Sequence, residues 1–165
     1  MPKSPSTRRA AADLFRYASD TRFLIAKREH IKASGKDLAV LGCRRGQAWI
    51  RLSGVRKKPG VAIPVCLITV YLHRGLAGLE KRIPRSAGVI YPLIEKELGV
   101  RIARIDQRIE AVMLEKADAL ELESELGCGL RVRRYYYDAT DRLLEVSDSL
   151  HAAERFAYEM RLRRD

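Results

Sequence analysis

Glu145 stands inside an otherwise apolar run, "DRLLEVSDSLH", residues 141–151. Leu143, Leu144, Val146 and Leu150 surround it, and a strand near the end of a chain has no local need for an acid there. Strand alternation places Leu143, Glu145, Ser147 and Ser149 on one face, and Leu144, Val146, Asp148 and Leu150 on the other. The first face is mixed polar, as a pocket wall would be. A carboxylate in such a wall accepts hydrogen bonds from ligand hydroxyls or amines. The alternative is a cross-strand ion pair with Arg133 or another base of the facing strand, worth only about 0.2–1 kcal/mol. Arg56 is the second group with chemistry to offer. A guanidinium grips a carboxylate or phosphate through two parallel hydrogen bonds. The alternative there is a solvated residue opening the run "RKK".

Other chemistries find little support. Cys43, Cys66 and Cys128 have no CxxC-like spacing and cannot all pair, so they read as reduced thiols. His30, His73 and His151 are scattered, and no metal site or cofactor is expected. In "RRYYYD", alternation splits Tyr136 from Tyr135 and Tyr137, which denies them one continuous stacking platform. The net charge of +11 is unevenly spread: residues 1–60 hold 15 Lys and Arg against 4 Asp and Glu, and residues 61–165 hold 17 of each. A basic first third touches nucleic acid, lies beside something that does, or merely solvates the chain. No zinc-finger, RNP or Gly-rich phosphate motif accompanies it. The start lacks the apolar core of a signal peptide, and no apolar run approaches the ~20 residues that span a bilayer. The chain is expected to be cytoplasmic, with no membrane partner.

These side chains need elements to position them. Residues 1–21 are expected to be a tail or linker, with a short helix in "AAADLFRYAS". "RFLIAKREHIKA" reads as a strand, and "GKDLAVLGCRRG" as a short helix ended by glycine. "AWIRLSGVRKK" and "VAIPVCLITVYL" read as a hairpin, Pro64 placing the second strand at an edge or a bulge. "VIYPLIEKELG" predicts an amphipathic helix, with Ile90, Leu93, Ile94 and Leu98 on one face and Gly99 as its stop. "RIARIDQRIEAVM" alternates as a strand. Ala103, Ile105, Ile109, Ala111 and Met113 share one face, interrupted by Gln107, and Arg104, Asp106, Arg108 and Glu110 share the other. "EKADALELESELG" returns to helix, "GLRVRRYYYDATDRLLEVSDSLH" is a hairpin turning at "DATD", and "RFAYEMRLR" is expected as a last strand. The pattern predicts an α+β fold, an antiparallel sheet with helices packed on one side, over residues 22–165.

Three stretches carry a resemblance: "LGCRRGQAWIRLSGVR", "IYPLIEKELGVRI" and "ALELESELGCGLRVRRYYYDATDRLLEVSDSLHAAERF". In this order they resemble the UTRA domain, the effector-binding part of HutC-type regulators in the GntR family. The resemblance covers about residues 22–163. It implies a chorismate lyase-like fold with a ligand pocket beside the sheet. It implies that a small-molecule metabolite binds there and changes the DNA affinity of a winged-helix domain, for which residues 1–21 are too short. It also implies a homodimer.

Carried over residue by residue, the resemblance makes Glu145 the acidic ligand contact, with Ser147 two positions on. Arg56 matches the second arginine of an "RxR" pattern whose first position is Gly54 here. Tyr91 matches an aromatic at a helix start whose serine is Val89 here. His151 falls where tyrosine is usual, and Arg155 and Tyr158 match the family's ending, Arg155 being the more structural. The expected ligand-binding set is therefore Arg56, Tyr91, Glu145, Ser147, His151 and Tyr158. Gly54, Val89 and His151 all remove donors that suit sugar phosphates, which points to a less anionic effector. The competing reading is a chorismate lyase-like enzyme acting on a small aromatic acid, with Arg56 and Glu145 at its centre. A third is nucleic-acid binding by residues 1–60.

Overall fold

The structure, a computed structural model, describes residues 19–160. The strands are β1 (Arg22–Lys32), β2 (Ala48–Lys57), β3 (Cys66–His73), β4 (Ser86–Ala87), β5 (Ile102–Met113), β6 (Cys128–Asp138) and β7 (Leu143–Ala152). The helices are α1 (Lys36–Leu41), α2 (Tyr91–Leu98) and α3 (Lys116–Glu121), with short 3-10 turns at Arg74–Leu76, Leu79–Lys81 and Ala153–Arg155. The strands form one sheet in the order β4-β1-β2-β3-β7-β6-β5, every neighbouring pair antiparallel. The helix expected in "AAADLFRYAS" falls almost wholly outside the described residues.

Local chemistry sets the ends of these elements. Pro92 lies in the first turn of α2, where its missing N–H costs nothing, and Gly99 closes the helix in the left-handed conformation at φ 62°. Gly42 closes α1 in the same way. The β6–β7 turn is organised by Asp138. Its Oδ1 accepts from the Thr140 hydroxyl at 2.8 Å and from the backbone N–H groups of Thr140 and Arg142 at 2.9 and 3.0 Å. Those bonds hold its carboxyl down at about 2.

Strand parity separates two faces. On one, Ile50, Leu52, Ile68, Val70 and Leu72 pack with Ile90 and Ile94 of the α2 region and with Leu76, Leu79 and Ile83 of the turns. On the other, Trp49, Tyr71 and Val146 pack with Val40 and Leu41 of α1. Leu122, just after α3, packs there with Leu150 and Ala152. The expected packing on one side thus holds for α1 and α3, and α2 lies opposite because Ile90 and Ile94 bury against the even-numbered side chains of β3.

Three local expectations need correction. Pro64 precedes β3, which is an interior strand between β2 and β7, so it neither marks an edge nor a bulge. Phe156–Met160 form no strand: Phe156 stacks instead on His151, ring centroids 3.7 Å apart. The faces of Leu143 and Leu144 are exchanged. Tyr136 pairs with Glu145 while Tyr137 pairs with Leu143, so Leu144 is a bulged extra residue. It turns into the core beside Leu72 and Ile94, and Leu143 packs on the α1 side. β5 is the strand expected and, as the outermost of the sheet, buries none of its residues.

Candidate functional site

Glu145 sits on β7 between Leu72 of β3 and Tyr136 of β6. It is 2% exposed, and its Oε2 has no hydrogen-bond partner. The anticipated alternative, an ion pair with Arg133, does not form. Arg133 projects from the opposite face, where Asp148 is its partner at 3.5 Å. Burial pushes the Glu145 carboxyl up to about 8, against the attraction of the Arg56 guanidinium.

Arg56 comes from β2 and is 6% exposed. Its Nη1 donates to Thr21 Oγ1 at 3.2 Å, and its Nη2 to the Gly88 carbonyl at 3.1 Å. It is therefore no solvated member of a basic run. It ties the entry to β1 and the loop before α2 to the sheet, with its guanidinium turned towards Glu145.

A shallow cleft with a cavity volume of about 30 Å³ lies over these groups. Arg56, Arg134, Glu145, Ser147 and Ser149 supply its polar lining. Ile68 and Val70 of β3 and Val89 and Ile90 of the loop before α2 supply apolar walls, and Tyr136 lines it from β6. Small-molecule sites have this make-up, apolar walls around a few convergent polar groups. A wider hollow beside Leu76 and Leu98 has only Arg82 and Glu97 as charged groups, and these bond each other.

Of the six residues anticipated from the sequence, the cleft gathers Arg56, Glu145 and Ser147. Tyr91 stands one layer behind, its ring stacked on Tyr136 at 5.3 Å. Burial, then Glu95 and Glu145, push its hydroxyl up to about 12. His151 follows Ser149 along the same face of β7 but lies under Phe156. Burial pushes it down to about 4, against a backbone hydrogen bond at Val65. Tyr158 is away from the cleft, its hydroxyl accepting from Gln107 Nε2 on β5 at 3.1 Å. Arg155 is structural, donating to the carbonyls of Leu122 and Glu123 after α3.

The sequence reading missed Arg134 and Tyr136 as lining residues. Both lie on the Glu145 face of β6, opposite Ser147 and Glu145. Counting outward from the "DATD" turn without the bulge at Leu144 sets Tyr135 opposite Glu145, which hid the face of both residues. Arg134 is steadied by Gln107, whose Oε1 accepts from its Nε at 2.7 Å.

The UTRA domain family model matches residues 18–157. The chain belongs to the UTRA domain family. Solved structures agree in fold. This UTRA domain is similar to the effector domain of PhnF from Mycobacterium smegmatis, at 19% identity and a TM-score of 0.73, over 87% of this chain and 88% of that one. It is also similar to the ligand-binding domain of a putative GntR-family transcriptional regulator from Bordetella bronchiseptica, at 25% identity and a TM-score of 0.66, over 87% and 91% of the two chains. The C-terminal domain of PhnF matches at 23% identity and a TM-score of 0.70, over 87% and 88%. No curated protein matches the chain. The α+β antiparallel sheet expected from the sequence pattern, and the chorismate lyase-like fold implied by the resemblance, are the observed architecture. Among the described residues, no helix is long and apolar enough to cross a membrane, and no group of three His, Cys, Asp or Glu is placed to hold a metal.

Proposed function

We propose that this UTRA domain senses a small polar metabolite in the cleft between β3, β7, β6 and the loop before α2. Binding there changes the DNA affinity of a winged-helix domain lying outside residues 1–165. The assembly is a HutC-type regulator of the GntR family that works in the cytoplasm as a homodimer, since palindromic sites call for two-fold symmetry.

The observation that carries this reading is Glu145, a buried carboxyl with an unpartnered oxygen on the floor of a cleft that also presents two arginines and two serines. A buried polar atom without a partner costs stability, and a ligand donor would satisfy it. Two departures support an effector less anionic than a sugar phosphate. Val89 lines the cleft with an isopropyl group where a hydroxyl would suit an anion. At Gly54 a Cβ would lie 2.0 Å from the Leu24 carbonyl oxygen, so the β1 backbone fills the place of a second clamping side chain. One observation favours the enzyme reading: Arg134 brings the arginines of the cleft to two, as a lyase binding a dicarboxylate requires. Release of pyruvate from chorismate would establish it.

A metabolite screen by thermal shift identifies the effector, and calorimetry on Glu145→Gln tests the site. A cationic donor on the ligand would make a charge-assisted hydrogen bond to Glu145, worth about 1.5–3 kcal/mol, so the variant is expected to bind such a ligand roughly tenfold or more weakly. Unchanged affinity would remove Glu145 from the site.

A further inference from the structure

Gln107 interrupts the apolar alternation of β5 between Ile105 and Ile109. It stands directly opposite Arg134 of β6, and Arg134 stands directly opposite Ser147 of β7. Val70 of β3 continues the row. Residues directly opposite one another in antiparallel strands share a face of the sheet. One line of side chains therefore runs from the outer strand to the floor of the cleft, where Arg134, Ser147 and Val70 all line it.

The bonds along this line have one direction. A guanidinium only donates, so the oxygen of the Gln107 amide must face Arg134. Oε1 accepts from Arg134 Nε at 2.7 Å. The amide nitrogen is thereby turned away, and it donates to the Tyr158 hydroxyl oxygen at 3.1 Å. The amide is held from both ends. Bonding at Nε also leaves the two Nη groups at the far end of the Arg134 fork. Among the described residues they make no hydrogen bond and no ion pair, although the side chain is half-buried in the cleft wall.

Arg56, the arginine that the resemblance singled out, is placed differently. Its two Nη groups are already bonded, one to Thr21 and one to Gly88. An oxyanion in the cleft would have to take Arg56 from those partners, whereas Arg134 has its fork ready. We infer that Arg134 is the cation of the cleft that binds a carboxylate of the effector, and that Gln107 and Tyr158 are the positioning residues that aim it. This rests on the reading of the cleft as the effector site, and adds a chemical class to it. A carboxylate meets the end of a guanidinium fork with two parallel hydrogen bonds. It also carries less charge than a phosphate, in keeping with Gly54 and Val89. Glu145, two residues from Ser147 along β7, is left for a donor elsewhere on the same molecule. Tyr158, expected to touch the effector, acts through Gln107 instead.

An NMR titration of the full chain tests this, read at the Arg134 Nε–Hε resonance and at the backbone amide of Ser147. Acetate is the probe and acetamide, its neutral isostere, the control. Acetate at millimolar concentration is expected to shift both signals saturably, and acetamide to leave them in place. Arg134→Gln, read at Ser147, is expected to bind acetate roughly tenfold or more weakly, because a charge-assisted pair is lost. Gln107→Leu removes the acceptor that aims the fork and is expected to weaken acetate roughly threefold or more. Gln107→Glu separates positioning from mere stability. It keeps an acceptor for Nε but cancels the charge of the guanidinium, so acetate binding is expected to fall while the melting temperature holds. Tyr158→Phe frees the amide at one end and is expected to weaken acetate less than Gln107→Leu does.

A wild-type chain that does not distinguish acetate from acetamide, or acetate binding that survives Arg134→Gln, would overturn the carboxylate assignment. Binding lost in Arg134→Gln but unchanged in Gln107→Leu and Gln107→Glu would overturn the positioning role. A purely structural Gln107 gives that second result, with a lower melting temperature as its only effect. Either failure leaves the cleft reading standing, because the screened effector and Glu145→Gln decide that reading separately.

Discussion

An ionisable group that is 2% exposed and has a carboxyl oxygen without a hydrogen-bond partner must give up either its charge or its burial, and Glu145 gives up its charge. Its carboxyl moves from an ordinary 4.5 to about 8 on folding. The folded chain thus keeps a proton that the unfolded chain releases. The resulting stabilisation is complete below pH 4.5 and is lost as pH rises through 8. His151 works in the opposite sense. Its pKa falls from 6.5 to about 4, so its contribution is complete above pH 6.5 and is lost as pH falls through 4. Between pH 6.5 and 8 Glu145 is the changing term of the pair. The melting temperature of the wild-type chain is expected to decline across that window, and that of Glu145→Gln to stay level. Equal slopes for the two proteins would mean that Glu145 is not held neutral. The same measurement separates a binding carboxyl from a structural ion pair, because removing one partner of a buried pair would lower stability at every pH in the window.

Elements decide which residues reach the cleft, and here single-residue irregularities matter most. The β1–β2 ladder shifts register between Ile25 and Lys27, opposite Gly54, and the Leu24 carbonyl oxygen occupies the place of a Cβ at 2.0 Å. Gly54→Ala is expected to cost at least about 3 kcal/mol by forcing backbone apart. Gly88→Ala, where the nearest neighbour is the Arg22 side chain at 3.9 Å, is expected to change stability by less than about 0.5 kcal/mol. Urea unfolding midpoints of the two variants check this contrast. The same kind of irregularity limited what could be read beforehand. The helix at Tyr91–Leu98 and the β6–β7 hairpin were legible, because apolar spacing, Gly99 and the "DATD" turn all agree. Glu145, Ser147 and Ser149 on one face were legible from alternation alone. Leu143 and Leu144 were not, because an extra residue in a strand flips its neighbours without any mark in composition. Arg134 was hidden for the same reason, its face depending on register across that bulge. Phe156 and Tyr158 alternate like a strand, yet their contacts are side-chain contacts with His151 and Gln107.

At the scale of the whole molecule, the charge of +11 lies entirely in the first 60 residues, and the fold shows what many of those charges do. Arg51 pairs with Glu29 and Asp37, Lys27 with Glu29, and Lys36 with Glu115. Arg28 donates to the carbonyls of Glu80 and Ile83, and Arg56 is buried at the cleft. These cations are engaged within the domain, so fewer remain to neutralise phosphates than the net charge suggests. Affinity for duplex DNA scales with the number of phosphates neutralised, and sequence preference requires groups that reach base edges. The chain alone is therefore expected to bind duplex weakly, with a dissociation constant of about 10⁻⁴–10⁻⁶ M at physiological salt, and without sequence preference. That affinity should fall steeply as salt rises, since counterion release is its only source. Fluorescence anisotropy across a salt series, with several unrelated duplexes, measures both properties. Nanomolar binding to one sequence at physiological salt would place DNA recognition within residues 1–165 and overturn the assignment of that role to a separate winged-helix domain.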